Sequence, residues 1–242
     1  FANIHNAKKA RSPMINIVGD HATFHLKYDA PLTSDLDGLA KSSSDWVERV
    51  KSPDELPAGG SRAWQAAHNF PGQIATLIVP ADCAWSETDR TGKILNSVGP
   101  SEIDDDVLVE AYKALTDKSN CMLFLGGEFL DEQSLNMAAK IATKTGARLA
   151  TDTFRKRQRR GFGIPVVEPL PYFSEMAEDF LKGVESIVFV GSKPPVSFFA
   201  YPNKKSYLSP DNSKLIKLAS YKQDGKQALE SLCEMLDAKE MS

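Results

Sequence analysis

Asp20, His21, His25 and Asp29 lie close together in a polar stretch behind the apolar run 14–18. Imidazoles at the edge of a sheet can move protons near neutral pH. His21 and its neighbours in this stretch are therefore candidates for proton transfer, with a non-catalytic role as the alternative. The spacing fits no metal motif, because there is no H-E-x-x-H and no C-x-x-C partner. Gly126-Gly127 follows an apolar run and precedes a helical pattern. Backbone N–H groups at such a place can hold a phosphate, which makes Gly126 and Gly127 candidate cofactor-binding residues. The string is neither G-x-G-x-x-G nor a P-loop. Asp131 and Glu132 open the helix and set a carboxylate against its dipole, which favours a structural turn. Arg155, Lys156, Arg157, Arg159 and Arg160 form the densest run of charge. Arginines beyond a strand end can clamp a diphosphate bidentately; a solvated basic loop is the plainer alternative. Phe198, Phe199, Tyr201 and Tyr207 could stack a flat ligand or pack on their own domain. His5 and His68 fall on helical patterns and read as packing or surface residues. Ser61 and Cys83 have no motif around them, and no Ser-His-Asp or Cys-His arrangement can be argued.

The elements that would carry these residues follow from pattern. Apolar runs 14–18, 75–79, 121–125, 148–151, 186–190 and 215–218 read as strands, the first two as buried ones. Between them, residues 62–69, 174–182 and the repeats Leu108-Ala111-Tyr112-Leu115 and Leu135-Ala138-Ala139-Ala142 read as helices. Gly146 should end the helix before it. Leu229, Leu232, Cys233 and Leu236 line a last helix. Ser101 to Asp104 matches a capping box. Residues 36–40 suggest a short helix, and 45–50 a strand or a helical turn. Phe1 is expected inside a helix that starts further upstream. Strand-helix alternation predicts an α/β fold with parallel sheets, in two parts: residues 1–85, a linker at 86–100, and 101–242.

Composition bounds the function. The chain has 242 residues, 42% of them hydrophobic, and a formal net charge of −3. That is an ordinary globular balance. It argues against a dedicated nucleic-acid binder, which needs clustered cations in excess. No apolar run reaches the roughly 18–20 residues of a membrane helix. Cys83, Cys121 and Cys233 are odd in number and far apart, so reduced thiols in a cytoplasm are the simplest reading.

Several segments carry a resemblance. Asn3 to Asp20 has a helix of small residues, Ser12-Pro13, an apolar run and Gly19. It resembles the late part of the pyrimidine-binding domain of thiamine-diphosphate enzymes. Asp29-Ala30 then follows Gly19 at the spacing of acetolactate synthases and benzoylformate decarboxylases. Pro71 to Asp82, PGQIATLIVPAD, is similar to their P-G-P-V-x-L-x-x-P-x-D strand. The second half resembles their central domain. Gly161 to Phe173 and Val190 to Pro202 resemble the acetolactate-synthase-like large subunits in particular.

The resemblance implies a partial pyrimidine-binding α/β domain, then a three-layer central domain with a parallel sheet of the DHS-like NAD/FAD-binding type. It implies thiamine diphosphate and Mg2+ as cofactors, a 2-oxo acid substrate, and a dimer or tetramer for the parent enzyme. Some relatives bind FAD on the central domain, and Gly126, Gly127 and Arg155 are where it would lie. The family's catalytic glutamate would precede Phe1, and its Gly-Asp-Gly…Asn motif would follow Ser242. The chain then reads as an interior fragment, inactive alone. Acetolactate synthases carry Phe-Gln-Glu after Asp-Ala, where this chain has Pro31, Leu32 and Thr33. Leu32 is closer to the decarboxylase pattern, and because some decarboxylase relatives carry histidines in this loop, the resemblance implies His21 as the catalytic candidate. The alternatives are a benzoylformate-decarboxylase-type enzyme, or a non-catalytic nucleotide-binding or interaction module.

Overall fold

The computed structural model describes residues 2–117 and 120–238. The chain divides into two compact units, Phe1–Gly99 and Pro100–Ser242. The expectation for Phe1 lies outside the described residues.

The first unit runs α1 (Ala2–Lys9), β1 (Met14–Asp20), α2 (Leu36–Ser43), β2 (Trp46–Arg49), α3 (Leu56–His68), β3 (Ile74–Pro80) and α4 (Ala81–Trp85). Its sheet is parallel in the order β1-β3-β2. The middle strand β3 is buried at every position, as a run that is apolar except at Thr76 requires. Ala63, Ala66 and Ala67 of α3 pack on Ala75, Leu77 and Val79. Thr76 is satisfied across all three strands' neighbourhood: its Oγ1 accepts from Asn16 Nδ2 at 3.1 Å and meets Ser44 Oγ at 2.6 Å.

Two expectations are corrected here. The strand at 14–18 is not buried. It forms a sheet edge, and Ile15 and Ile17, level with Ala75 and Leu77, are left uncovered, Ile17 being 73% exposed. Helix α3 starts at Leu56, well before residue 62. Gly59-Gly60 hides it in the sequence, yet Gly59 is what lets the helix lie close to the sheet. A Cβ there would fall 2.8 Å from Val50 Cγ1. Residues 86–99 lie against the first unit. Thr88 Oγ1 donates to Asp54 at 2.6 Å, Gln65 Nε2 to Asn96 O at 2.7 Å, and Val98 N to Asn69 Oδ1 at 2.8 Å.

The second unit runs α5 (Asp105–Thr116), β4 (Cys121–Leu125), α6 (Glu132–Thr145), β5 (Arg148–Thr151), β6 (Glu168–Pro169), α7 (Ser174–Leu181), β7 (Ser186–Val190), β8 (Lys214–Ala219) and α8 (Gly225–Met235). Its sheet is parallel throughout, in the order β6-β5-β4-β7-β8. On one face Met122, Phe124, Ile187 and Phe189 pack with Ala177 and Leu181 of α7. The alternate residues Leu123, Leu125, Val188 and Val190 are buried as well, so helices cover both faces, as three-layer α/β construction demands. Gly146 ends α6 in the left-handed region, at φ 76°. The expected capping box is corrected. Asp104 is the N-cap of α5, its side chain accepting from Asp106 N at 2.9 Å. Ser101 instead bridges to Gln223, a long-range pairing that local spacing cannot reveal. All three cysteines are free, and Cys83 and Cys121 are buried. Among the described residues no helix is long and apolar enough to cross a membrane.

Candidate functional site

In the first unit the candidate residues gather where β1 ends. The Asp20 side chain is only 4% exposed and forms an ion pair with Arg49. Its other oxygen accepts His21 N at 2.7 Å. Arg49 also reaches Asp37, with Nη2 at 2.7 Å and Nε at 3.1 Å. Burial alone would lower the Arg49 pKa, but its bonds to Asp20 and Asp37 outweigh that and raise it. Asp20 is thus a clamp that joins β1 to β2 and α2. At the end of β3, Asp82 accepts Thr23 N at 2.9 Å and Thr23 Oγ1 at 2.5 Å, and these bonds hold its carboxyl below the usual range. The loop carrying His21 is therefore tied at both sides. The His21 and His25 rings are 5.5 Å apart between centroids, and Tyr28 lies 5.7 Å from His25. Asp29 sits in the left-handed region, at φ 47°. Leu32 is 84% exposed. Of the other histidines, His68 stacks on Trp64 at 4.4 Å, and His5 is exposed on α1.

In the second unit Gly126-Gly127 leaves β4, which has β5 on one side and β7 on the other. The strand order reverses between β4 and β7, the place where open α/β sheets hold their ligands. Here the chain itself fills that place. Gly126 N donates to Val190 O, and Gly191 N to Ala219 O, both at 2.9 Å. A Cβ on Gly126 would lie 2.6 Å from Asp152 Oδ2 and 2.9 Å from Ser192 Cβ. Ser192 Oγ donates to Asp152 Oδ1 at 2.8 Å. Phe129 is buried, with its ring against Gly191 and Gly225. Asp131 caps α6 by accepting Ser134 N at 2.9 Å and pairs with Lys226 Nζ at 2.8 Å. Burial alone would raise the Asp131 pKa, but these two bonds outweigh it and lower it.

Arg155 folds back on the chain, with Nη1 on Asp152 O at 2.7 Å and Thr153 O at 3.2 Å. Within the same run Lys156 pairs with Glu128 at 2.5 Å and Arg159 with Glu132 at 3.6 Å. The surroundings of Gly126 are already occupied by groups of the chain itself. The amide of Gly126 is already bonded, a carboxylate faces it, and a phenyl ring fills the crevice. Asp152, Ser192 and Phe129 are the determinants that the sequence reading missed. Their one legible signal is the second glycine, Gly191, at the end of β7.

The described residues hold no group of three His, Cys, Asp or Glu side chains placed to share a metal ion. The sequence has no Gly-Asp-Gly string, and the carboxylates Asp20 and Asp82 are held by partners within the fold.

The aromatic residues do gather. Tyr172, Phe173, Phe198, Phe199 and Tyr201 line a cavity of about 300 Å3 beside the start of α7. Tyr207, expected with them, is not in its lining.

No protein-family model matches the chain. A curated protein of Mycobacterium tuberculosis (strain ATCC 25618 / H37Rv), named "Putative acetolactate synthase large subunit IlvX", is 41% identical over 211 residues. The match takes in 87% of this chain and 40% of that protein. Among solved structures, a "putative thiamin diphosphate-dependent enzyme" from Mycobacterium smegmatis superposes with a TM-score of 0.80 at 20% identity, over 98% of this chain and 48% of that one. Benzoylformate decarboxylase from Polynucleobacter necessarius gives 0.76 at 20% identity, over 99% and 47%. The 4-hydroxybenzoylformate decarboxylase of Rhodococcus jostii RHA1 gives 0.74 at 17% identity, over 99% and 48%. The structural matches speak for the fold. The chain spans less than half the length of the proteins it matches. Over 211 residues the chain is thus similar in sequence to a putative acetolactate synthase large subunit, and along nearly its whole length it shares the fold of thiamine-diphosphate-dependent enzymes.

Proposed function

We propose that the chain is one part of a thiamine-diphosphate-dependent enzyme acting on a 2-oxo acid, by decarboxylation with or without carboligation. The carrying observation is the 41% identity over 211 residues with the mycobacterial relative. In this reading the cofactor supplies an electron sink for the carbanion left when carbon dioxide departs. The glutamate, the diphosphate-binding motif and Mg2+ belong to segments other than this one. This chain supplies a scaffold and one proton-handling candidate, His21, on a loop held by Asp20 and Asp82. The Pro31-Leu32-Thr33 stretch favours simple decarboxylation over joining two pyruvates. The second unit acts as a structural module, because Phe129 and Asp152 hold the place a nucleotide would need. Assembly as a homo-oligomer in the cytoplasm completes the proposal.

The test is carbon dioxide release from pyruvate and from benzoylformate, with thiamine diphosphate and Mg2+ supplied. The chain alone should give none. The product of the whole reading frame in which these residues lie should give turnover, lowered at least about tenfold by His21→Ala. Turnover by the chain alone, or full activity of the His21→Ala product, would refute the respective half of the proposal.

A further inference from the structure

The loop between β5 and β6 has no part in the function proposed above. Residues 153–163 carry five cations and no Asp or Glu, in a chain of net charge −3. The loop is held at its base. Arg155 Nη1 donates to Asp152 O, Lys156 pairs with Glu128 and Arg159 with Glu132, and Arg159 N donates to Leu130 O at 2.9 Å. Two guanidiniums are left over. Among the described residues neither Arg157 nor Arg160 meets a carboxylate, and Arg160 donates to the neutral Gln158 Oε1 at 3.2 Å. Both arginines are exposed.

The cations lead straight into a tight turn. Ile164 N donates to Gly161 O at 3.2 Å, which puts Phe162 and Gly163 at the corner. Gly163 holds φ 76°, a left-handed backbone that glycine adopts without steric cost. Phe162 is fully exposed, and a Cβ on Gly161 or on Gly163 would meet nothing within 4 Å. The ring therefore stands on a projecting tip next to Arg160. Val166 is exposed a few residues further on. The fold's own packing makes no use of either apolar side chain.

We propose that this loop docks the chain on an anionic lipid surface, with Phe162 entering the headgroup layer and Arg157 and Arg160 on lipid phosphates. Shape decides against nucleic acid. Single strands lie in a basic groove that offers successive rings for stacking, whereas here one ring stands alone on a tip. An apolar tip beside cations suits a boundary that is charged outside and apolar beneath. Arg157 and Arg160 can turn to lipid phosphates without breaking an internal ion pair, and each adds attraction at such a surface. The net charge of −3 opposes this attraction, so only a local patch can supply it. One ring and two cations make the docking reversible and sensitive to salt. The proposal does not depend on the thiamine-enzyme reading, since it uses the loop's own side chains.

The experiment is cosedimentation of the full chain with vesicles of phosphatidylglycerol and of phosphatidylcholine. Phosphatidylglycerol vesicles should carry the chain down at about 25 mM salt and release it at about 500 mM. Phosphatidylcholine vesicles should leave it in solution. Arg157→Gln with Arg160→Gln should weaken binding at least about tenfold, and Phe162→Ser at least about threefold. Lys205→Gln with Lys214→Gln removes the same charge from lysines paired with Asp211 and Glu110, and should weaken binding less than about twofold. Equal losses in the two double variants would overturn the loop as the site. Equal binding to both lipids, or no sedimentation at low salt, would overturn the docking itself. Oligothymidylate binding more tightly than phosphatidylglycerol at matched phosphate concentration would overturn the lipid assignment in favour of nucleic acid.

Discussion

Phe129 occupies the space a side chain on Gly191 would need. A Cβ there would fall 2.4 Å from Phe129 Cδ2, and Gly191 holds φ 70°. Strain and clash thus coincide at one residue. Gly191→Ala should destabilise the second unit by about 1–3 kcal/mol, read as a lower urea midpoint. Phe129→Ala should cost about 3–5 kcal/mol, because it empties a buried ring site.

Arg49 holds two carboxylates of different burial. Asp20 is 4% exposed and Asp37 is 43% exposed. Removing the arginine leaves Asp20 buried and unpaired, which is the costly case. Removing Asp37 breaks a surface pair, which is the cheap one. Arg49→Ala should therefore lower stability by about 2 kcal/mol and Asp37→Ala by less than about 1 kcal/mol, in chemical denaturation at neutral pH. Equal losses would mean that burial is not what decides.

Asp131 should make stability depend on pH from the acid side. Its folded pKa lies below its ordinary value, because the bonds from Lys226 and Ser134 outweigh the burial that opposes them. Its contribution is thus present above the ordinary carboxylate pKa of about 4 and is lost as pH falls through the folded value. Asp131→Asn keeps a capping side chain but drops the charge. The gap between wild type and variant should be open at pH 7 and close as pH falls below about 4, in urea midpoints. A gap that widens in acid would contradict the assignment.

The first unit exposes apolar surface on a sheet edge. Ile15 and Ile17 stand uncovered on β1, and an unpaired edge with apolar side chains invites association. Ile17→Lys should raise solubility while changing stability by less than about 0.5 kcal/mol. Ile78→Ala, on the buried central strand, should cost about 2–5 kcal/mol. Residues 1–99 alone should aggregate more readily than residues 100–242, measured by light scattering at matched concentration.

Legibility followed the range of the forces involved. The strand β4 is apolar at every position, β7 at every position after Ser186, and both are buried on both faces, so their runs announce them. Helix α6 carries both its stop at Gly146 and its cap at Asp131 within its own sequence. The exposure of Ile17 is different, because it depends on what lies beside β1 and not on β1 itself. The capping-box pattern at Ser101 misleads for the same reason, since its partner Gln223 is far along the chain. At the candidate sites, residue types point to His21 and Arg155 as candidates but say nothing of what surrounds them. Asp152 meets Gly126 and Ser192 only because β5 and β7 flank β4. The ring cavity arises likewise, from Tyr172 and Phe198 ending in one place on separate loops.

The central claim is that this chain carries only part of a thiamine-diphosphate site. Calorimetric titration of the chain with thiamine diphosphate in the presence of Mg2+ tests it most directly. The account predicts no saturable heat up to about 1 mM cofactor, which corresponds to a binding free energy weaker than about −4 kcal/mol. Saturable, Mg2+-dependent binding at micromolar concentration would contradict it.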